Sequence, residues 1–372
     1  MGRQIRFARG GMAGFLACSA SMIAAQACAD TELSFGFSAD GYIAESDMNG
    51  SDSYVGLYPE FTLTTTADSG WSVEAYLAPE LYTSSNDEKE FGADDPYTFS
   101  SLTITTPGGL SFGAEYESTY LRETEEFFRD AYALFIESDA IGRLAYGDID
   151  SAVGFSCITA PGGTTNFAAD DLTNFGSCES FGFQSTLLYN TPDFNGYTVY
   201  ASLSNPPDED LSAGDPSRTF SLALAYAGDV SGNSLEYTIG FERVTDYFGT
   251  PDHGGAHATV VQAGATYGIG DLIYSASGSA QFYEGTDTTQ FGLALGLDWQ
   301  ATDRLLIGGG VTRAQVADFS TADFSTEHQT TYGLSAEYAV IPDRLTLDIG
   351  ASRLSAPSGD DTLIGAGFSV SF

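Results

Sequence analysis

From Thr31 to Phe372 the dominant period of the chain is two. Phe291, Leu293, Leu295, Leu297 and Trp299 alternate with Gly292, Ala294, Gly296 and Asp298. The pattern returns at Leu235, Tyr237, Ile239 and Phe241 against Glu236, Thr238, Gly240 and Glu242. It returns again at Phe220–Tyr226, at Tyr332–Tyr338, and in the closing run Ile364, Ala366, Phe368, Val370, Phe372. Successive side chains of a strand point to opposite faces, so this spacing predicts strands with one large apolar face and one small or polar face.

The second face decides the class. In a soluble sandwich the outer face is polar and the inner one apolar. Here the non-apolar face is Gly, Ser, Thr, Asp and Glu, with almost no Lys. The apolar face often ends in Tyr, Phe or Trp. That combination predicts an all-β transmembrane antiparallel barrel, with lipid outside, a wet lumen inside and aromatic girdles at both interfaces. Links alternate in length. Short ones carry turn residues, as at Asp193-Phe194-Asn195-Gly196, Gly270-Asp271 and Pro342-Asp343. Longer polar ones lie between, at residues 86–96, 151–180, 206–217, 246–256 and 318–327. Short periplasmic turns and long extracellular loops follow this order. The segments number about 18, with 16 as the neighbouring even count.

Three arginines, Arg3, Arg6 and Arg9, precede an apolar stretch that ends in Ala25-Gln26-Ala27 and Ala27-Cys28-Ala29. Residues 1–29 read as a secretory signal peptide and residues 30–372 as one barrel domain. The whole chain has 13 basic and 51 acidic residues and a net charge of −38. Losing the three signal arginines takes it from −38 to −41. A basic face for nucleic acid is excluded. Charged residues are only 17%, so the acid is concentrated rather than spread. Cys18 and Cys28 leave with the signal. The remaining pair, Cys157 and Cys178, is expected to form a disulfide in an exported protein. Its loop closure could contribute on the order of 3 kcal/mol.

The stretch Phe128-Arg129-Asp130-Ala131-Tyr132-Ala133-Leu134-Phe135-Ile136, followed by Ile141-Gly142-Arg143-Leu144-Ala145-Tyr146-Gly147-Asp148, resembles the hairpin before the constricting loop of Gram-negative general-diffusion porins. Leu187–Tyr197 resembles that family's next hairpin. The alternation ending in Phe372 is similar to its C-terminal assembly signal. The acidic, Lys-poor style resembles alphaproteobacterial members.

The resemblance implies a homotrimer of 16-stranded barrels in the outer membrane, among lipid and lipopolysaccharide, inserted by the barrel assembly machinery. It implies passive diffusion of small hydrophilic solutes and ions, with residues 151–180 folded inward. The hairpin near Tyr97–Tyr120 departs from it and raises the count to 18. That departure favours the alternative of a substrate-specific channel for a solute such as a sugar or organic acid.

A pore selects by size and lining charge. Arg129 shares parity with Ala131 and Ala133, and Arg143 with Ala145 and Gly147. Alternation therefore aims both into the lumen, and Arg304 with Gly308 and Gly310 is placed there too. On the family reading these arginines face Asp148, Asp150, Asp170, Asp171 and Glu179 across the constriction. The acidic balance favours cations. No cofactor, metal site or enzymatic centre is expected. His253 and His257 are separated by two glycines that oppose a helical metal motif. His328 beside Ser325 has no orienting partner in view.

The signal reading is testable directly. Mass spectrometry of the exported protein is expected to show Asp30 as the first residue, and an intact residue 1 would overturn it.

Overall fold

The computed structural model describes residues 29–47, 50–84, 97–121, 126–158, 184–205, 218–247, 256–284, 289–318, 325–357 and 359–372. Their strands form one antiparallel sheet of 18 strands that closes on itself. Each strand pairs with its neighbour in sequence. The first, β1 (Ala29–Ser46), pairs with the last, β18 (Gly359–Ser371). The seam runs from Ser38↔Ser371 to Ser46↔Leu363. At its foot Phe372 N–H donates to the Phe37 carbonyl at 2.8 Å, and Phe37 N–H donates back at 3.3 Å.

The remaining strands are β2 (Gly50–Ala67), β3 (Ser72–Ser84), β4 (Tyr97–Thr105), β5 (Ser111–Leu121), β6 (Glu126–Ser138), β7 (Gly142–Ile149), β8 (Gln184–Asn190), β9 (Tyr197–Asn205) and β10 (Arg218–Val230). They continue with β11 (Asn233–Tyr247), β12 (Ala256–Ile269), β13 (Leu272–Tyr283), β14 (Thr289–Thr302), β15 (Leu305–Asp318), β16 (Ser325–Ile341) and β17 (Leu345–Ala356). The count of 18 matches the segments read from alternation and corrects the 16 implied by resemblance. The hairpin β4–β5 is the extra one. Among the described residues no helix is long and apolar enough to cross a membrane.

Alternation is expressed as burial. On β14, Leu295 is 48% exposed on the outer face while Ala294 is 1% exposed on the inner one. On β17, Ile349 is 62% exposed and its neighbour Asp348 only 2%. The exposed face carries Leu, Ile, Val, Phe, Tyr and Trp, which is the reverse of a water-soluble protein. Lipid gives the backbone no hydrogen-bond partner, so closure is the state that leaves no sheet edge in the membrane.

Turn chemistry holds the short-link end. Asn195, Ser231 and Asp343 take positive φ of 55°, 57° and 60°. Gly142 opens β7 at φ 76°, and a Cβ there would collide with the Asn190 carbonyl. The Ser231-Gly232 link between β10 and β11 is a two-residue turn with positive φ at both positions, as a tight hairpin requires. The other end is less uniform than expected. Only two or three residues link β1 to β2 and β17 to β18.

Leu295 sits midway along β14 on the lipid face. Leu295→Arg is expected to destabilise the barrel by about 2–4 kcal/mol, measured by denaturant titration in lipid vesicles. An unchanged midpoint would show that this face does not meet lipid.

Candidate functional site: an inward segment and an acidic wall

After β7 the chain leaves the wall and turns into the barrel. Residues 151–158 include one helical turn, α1 (Ala152–Phe155), capped by Ser151, whose Oγ accepts from Gly154 N–H at 3.3 Å. This turn packs on the inner faces of β9, β10 and β11. Its amide groups are satisfied by the wall. Ala152 N–H donates to Ser202 Oγ and Val153 N–H to Ser221 Oγ, both at 2.9 Å. Gln262 Nε2 donates to the Val153 carbonyl at 2.6 Å. Ala152 and Val153 are fully buried. The Phe155 ring lies 5.7 Å from that of Tyr200. The inward turn expected for residues 151–180 is thus present over its described part.

The inward segment covers the β9–β12 side, whose inner face is small at Ser202, Ser221, Ala223, Gly240 and Gly264, with Glu242 fully buried among them and Glu236 nearer the short-link end. The opposite arc differs. By register and alternation its inner face presents Asp298 on β14, Glu337 on β16, Asp348 on β17, Asp40 on β1, Glu80 on β3 and Glu117 on β5. Glu80 lies within electrostatic reach of both Asp40 and Glu117. Aromatic rings share this face, with Tyr76 and Phe99 at 5.9 Å between centroids.

The sequence-proposed site residues fare unevenly. Arg143 does face the lumen. However, it is held on the wall, with Nη2 2.9 Å from Glu115 Oε1 and 3.9 Å separating Nε from Glu137 Oε2. Its guanidinium stacks over Phe135, 4.4 Å from the ring centroid. Phe135 itself lies over Gly113, where any Cβ would overlap the ring. Arg143 is therefore a paired wall charge near the short-turn end, not a free cation opposite the loop.

Arg129 pairs in register with Ser118 across a shift between Glu117 and Ser118 that takes up Asp130 as an extra residue. The parity linking it to Ala131 is interrupted at that bulge, and its side chain is outside the described ones. Arg304 is a correction. It lies on the exposed turn between β14 and β15, with its carbonyl accepting from Ala339 N–H, and is absent from the lumen face.

Asp150 stands where β7 gives way to the inward segment, and burial raises its carboxyl above the ordinary aspartate value. Asp148 shares the parity of Leu144 and Tyr146, both exposed on the outer face, rather than that of Arg143 and Ala145. Cys157 follows α1. Asp170, Asp171, Cys178 and Glu179 lie outside the described residues. Phe372 sits at the seam, its ring 6.3 Å from Phe37.

Sequence reasoning missed the acidic arc and the seat of the inward turn. The signal was present, since Asp298 already stood in the small or polar half of an alternating run. Among described side chains, Arg143 is the one basic group on the lumen face. The other arginines of the strands, Arg218, Arg243, Arg313 and Arg353, fall on outer parity. Arg243 and Arg353 pair there with Glu284 and Asp360 at 2.8 and 2.7 Å. Among the described residues no group of three or more His, Cys, Asp or Glu could hold a metal ion.

Comparison with known proteins agrees with this geometry. The profile of the Gram-negative porin family matches residues 15–357. Among solved structures, OccK3 (OpdO) of Pseudomonas aeruginosa is similar at TM-score 0.60, with 11% identity over 92% of this chain and 96% of that one. The outer membrane protein OpdK of the same organism is similar at TM-score 0.60, with 12% identity over 92% of this chain and 99% of that one. OpdK with vanillate is similar at TM-score 0.55, with 12% identity over the same shares. No curated protein matches. These likenesses carry the fold. The family profile spans most of the chain, and the chain belongs to the Gram-negative porin family, whose barrel is a channel of the outer membrane.

Proposed function

We propose that the barrel is a passive, water-filled channel that prefers small hydrophilic cations. One observation carries the reading: the lumen is acidic over the arc from β14 round to β5, while the single described lumen arginine is neutralised by Glu115. Negative charge in a narrow aqueous passage raises the local concentration of cations. Residues 151–180 act as the constriction, with Asp150 at its root and Asp170, Asp171 and Glu179 as further loop acids. A disulfide between Cys157 and Cys178 belongs to this reading and braces the loop. Residues 1–29 are removed on export, Phe372 serves as the assembly signal, and the barrels associate as homotrimers.

A second reading, a solute-specific channel, is supported by the 18 strands. On that reading the acidic arc favours a cationic solute over an organic acid. Saturable block of current by one small solute distinguishes it from general diffusion.

Under a salt gradient across a planar bilayer, the reversal potential is expected to show cations favoured over anions by roughly two-fold or more. Arg143→Ala is expected to increase that ratio by freeing Glu115, at a stability cost under about 1 kcal/mol for a partly exposed pair. Anion preference would sink the reading.

Acidification provides a separate check. The raised carboxyl of Asp150 becomes neutral while ordinary carboxylates are still ionised. Cation preference is therefore expected to fall on acidification, and Asp150→Asn to reduce the early part of that fall. An identical pH profile in the variant would exclude Asp150 from the constriction.

A further inference from the structure

We infer that Gly240, Gly264 and Gln262 form a latch that fixes the width of the pore by seating the inward segment against the wall. The inference rests on residues 151–158 being part of the constriction, and it concerns what holds them there.

Gly240 on β11 and Gly264 on β12 lie within strands, where glycine is a poor choice on backbone grounds and a β-branched residue is favoured. Neither has the positive φ that would demand glycine. The reason for both is close approach. A Cβ on Gly240 would stand 2.9 Å from Val153 Cγ2, and one on Gly264 would stand 2.5 Å from the Ile158 carbonyl oxygen. The two positions form a shallow recess into which Val153 and Ile158 settle. Gln262 lies between them in the lumen-facing series of the wall, on the same strand as Gly264, and reaches the Val153 carbonyl. Ser202 and Ser221 catch the amides of the preceding residues. All three hydrogen bonds are buried, so each broken one leaves a polar group without water.

The consequence is positional. Seated this way, the segment covers the serine- and glycine-rich side of the lumen, where Glu242 is buried, and leaves the acidic arc facing the passage. Released, it would open that side as well. Pore width and charge preference then depend on the same contacts.

Two variants test this by different means. Gly264→Val adds a residue that the strand itself favours, so the collision falls on the segment. Gln262→Glu keeps the side-chain volume but replaces the donor with a carboxylate that repels the Val153 carbonyl.

Both are expected to migrate as folded, heat-modifiable barrels. Single-channel conductance is expected to rise roughly 1.5- to 2-fold, with larger sugars admitted in liposome swelling and a weaker cation preference. For Gln262→Glu, acidification should move conductance back toward that of the native channel measured at the same pH, since a protonated carboxyl can donate again. A mere loss of packing would not show that reversal.

Native conductance in folded Gly264→Val and in Gln262→Glu at neutral pH would overturn the latch. If Gly264→Val does not fold, Gln262→Glu decides alone. Deletion of residues 151–180 runs alongside. If deletion widens the pore and the latch variants do not, the latch fails and the constriction stands. If deletion also changes nothing, both fail.

Discussion

Hydrocarbon offers a peptide group no hydrogen-bond partner, and the rest of the molecule follows from that. A sheet in lipid cannot end, so β18 must return to β1. The seam from Ser38↔Ser371 to Ser46↔Leu363 is where this is met. Once the sheet is closed, the two faces of each strand meet different solvents. The outer face can be Leu295 or Ile349 at about half exposure or more, because its surroundings are apolar. The inner face is relieved of any need for a large hydrophobic core and can be small, polar or charged.

That relief makes an inward segment possible. Interior packing in a soluble domain relies on large apolar side chains on both partners. Here α1 has two fully buried residues, Ala152 and Val153, and it meets serines, glycines and a glutamine. The contact is short-ranged and polar, made of amide-to-hydroxyl bonds at 2.9 Å rather than extensive apolar area. Glycine is required where backbone or branched side chain approaches the wall most closely. A ring in place of any of these small residues would close the space that the segment occupies.

Much of the fold was legible because period two is a local signal. It needs no partner strand to be seen, and it located nearly all strand starts within a few residues. Direct counting also overruled resemblance on the number of strands, since the β4–β5 hairpin is written in the chain as plainly as the others. What stayed hidden required register. The argument for Arg129 assumed unbroken alternation, and a bulge at Asp130 interrupts it. Arg304 stood one residue from the start of a strand, and one residue separates a lumen position from an exposed turn. Arg143 was placed on the correct face, yet its partner Glu115 lies two strands away, across Phe135 and Gly113. No spacing along the chain relates residues brought together only by closure of neighbouring hairpins.

The charge distribution reads differently once the faces are known. Opposed rows of arginine and acid would set a field across the pore, but the described arginines of the strands are mostly elsewhere. Arg243 and Arg353 pair with acids on outer parity near the long-link end, and Arg143 is held by Glu115. What remains in the lumen is an acid-rich arc on one side and, on the other, a wall of mostly small residues under the inward turn in which Glu242 is buried. The asymmetry lies between an acid-rich arc and a wall of mostly small residues rather than between positive and negative rows. On the proposed reading a permeating cation meets the acid-rich arc on one side and the inward segment on the other. On that reading, selectivity by sign of charge and selectivity by size belong to different strands, β14 to β5 for the first and β9 to β12 for the second.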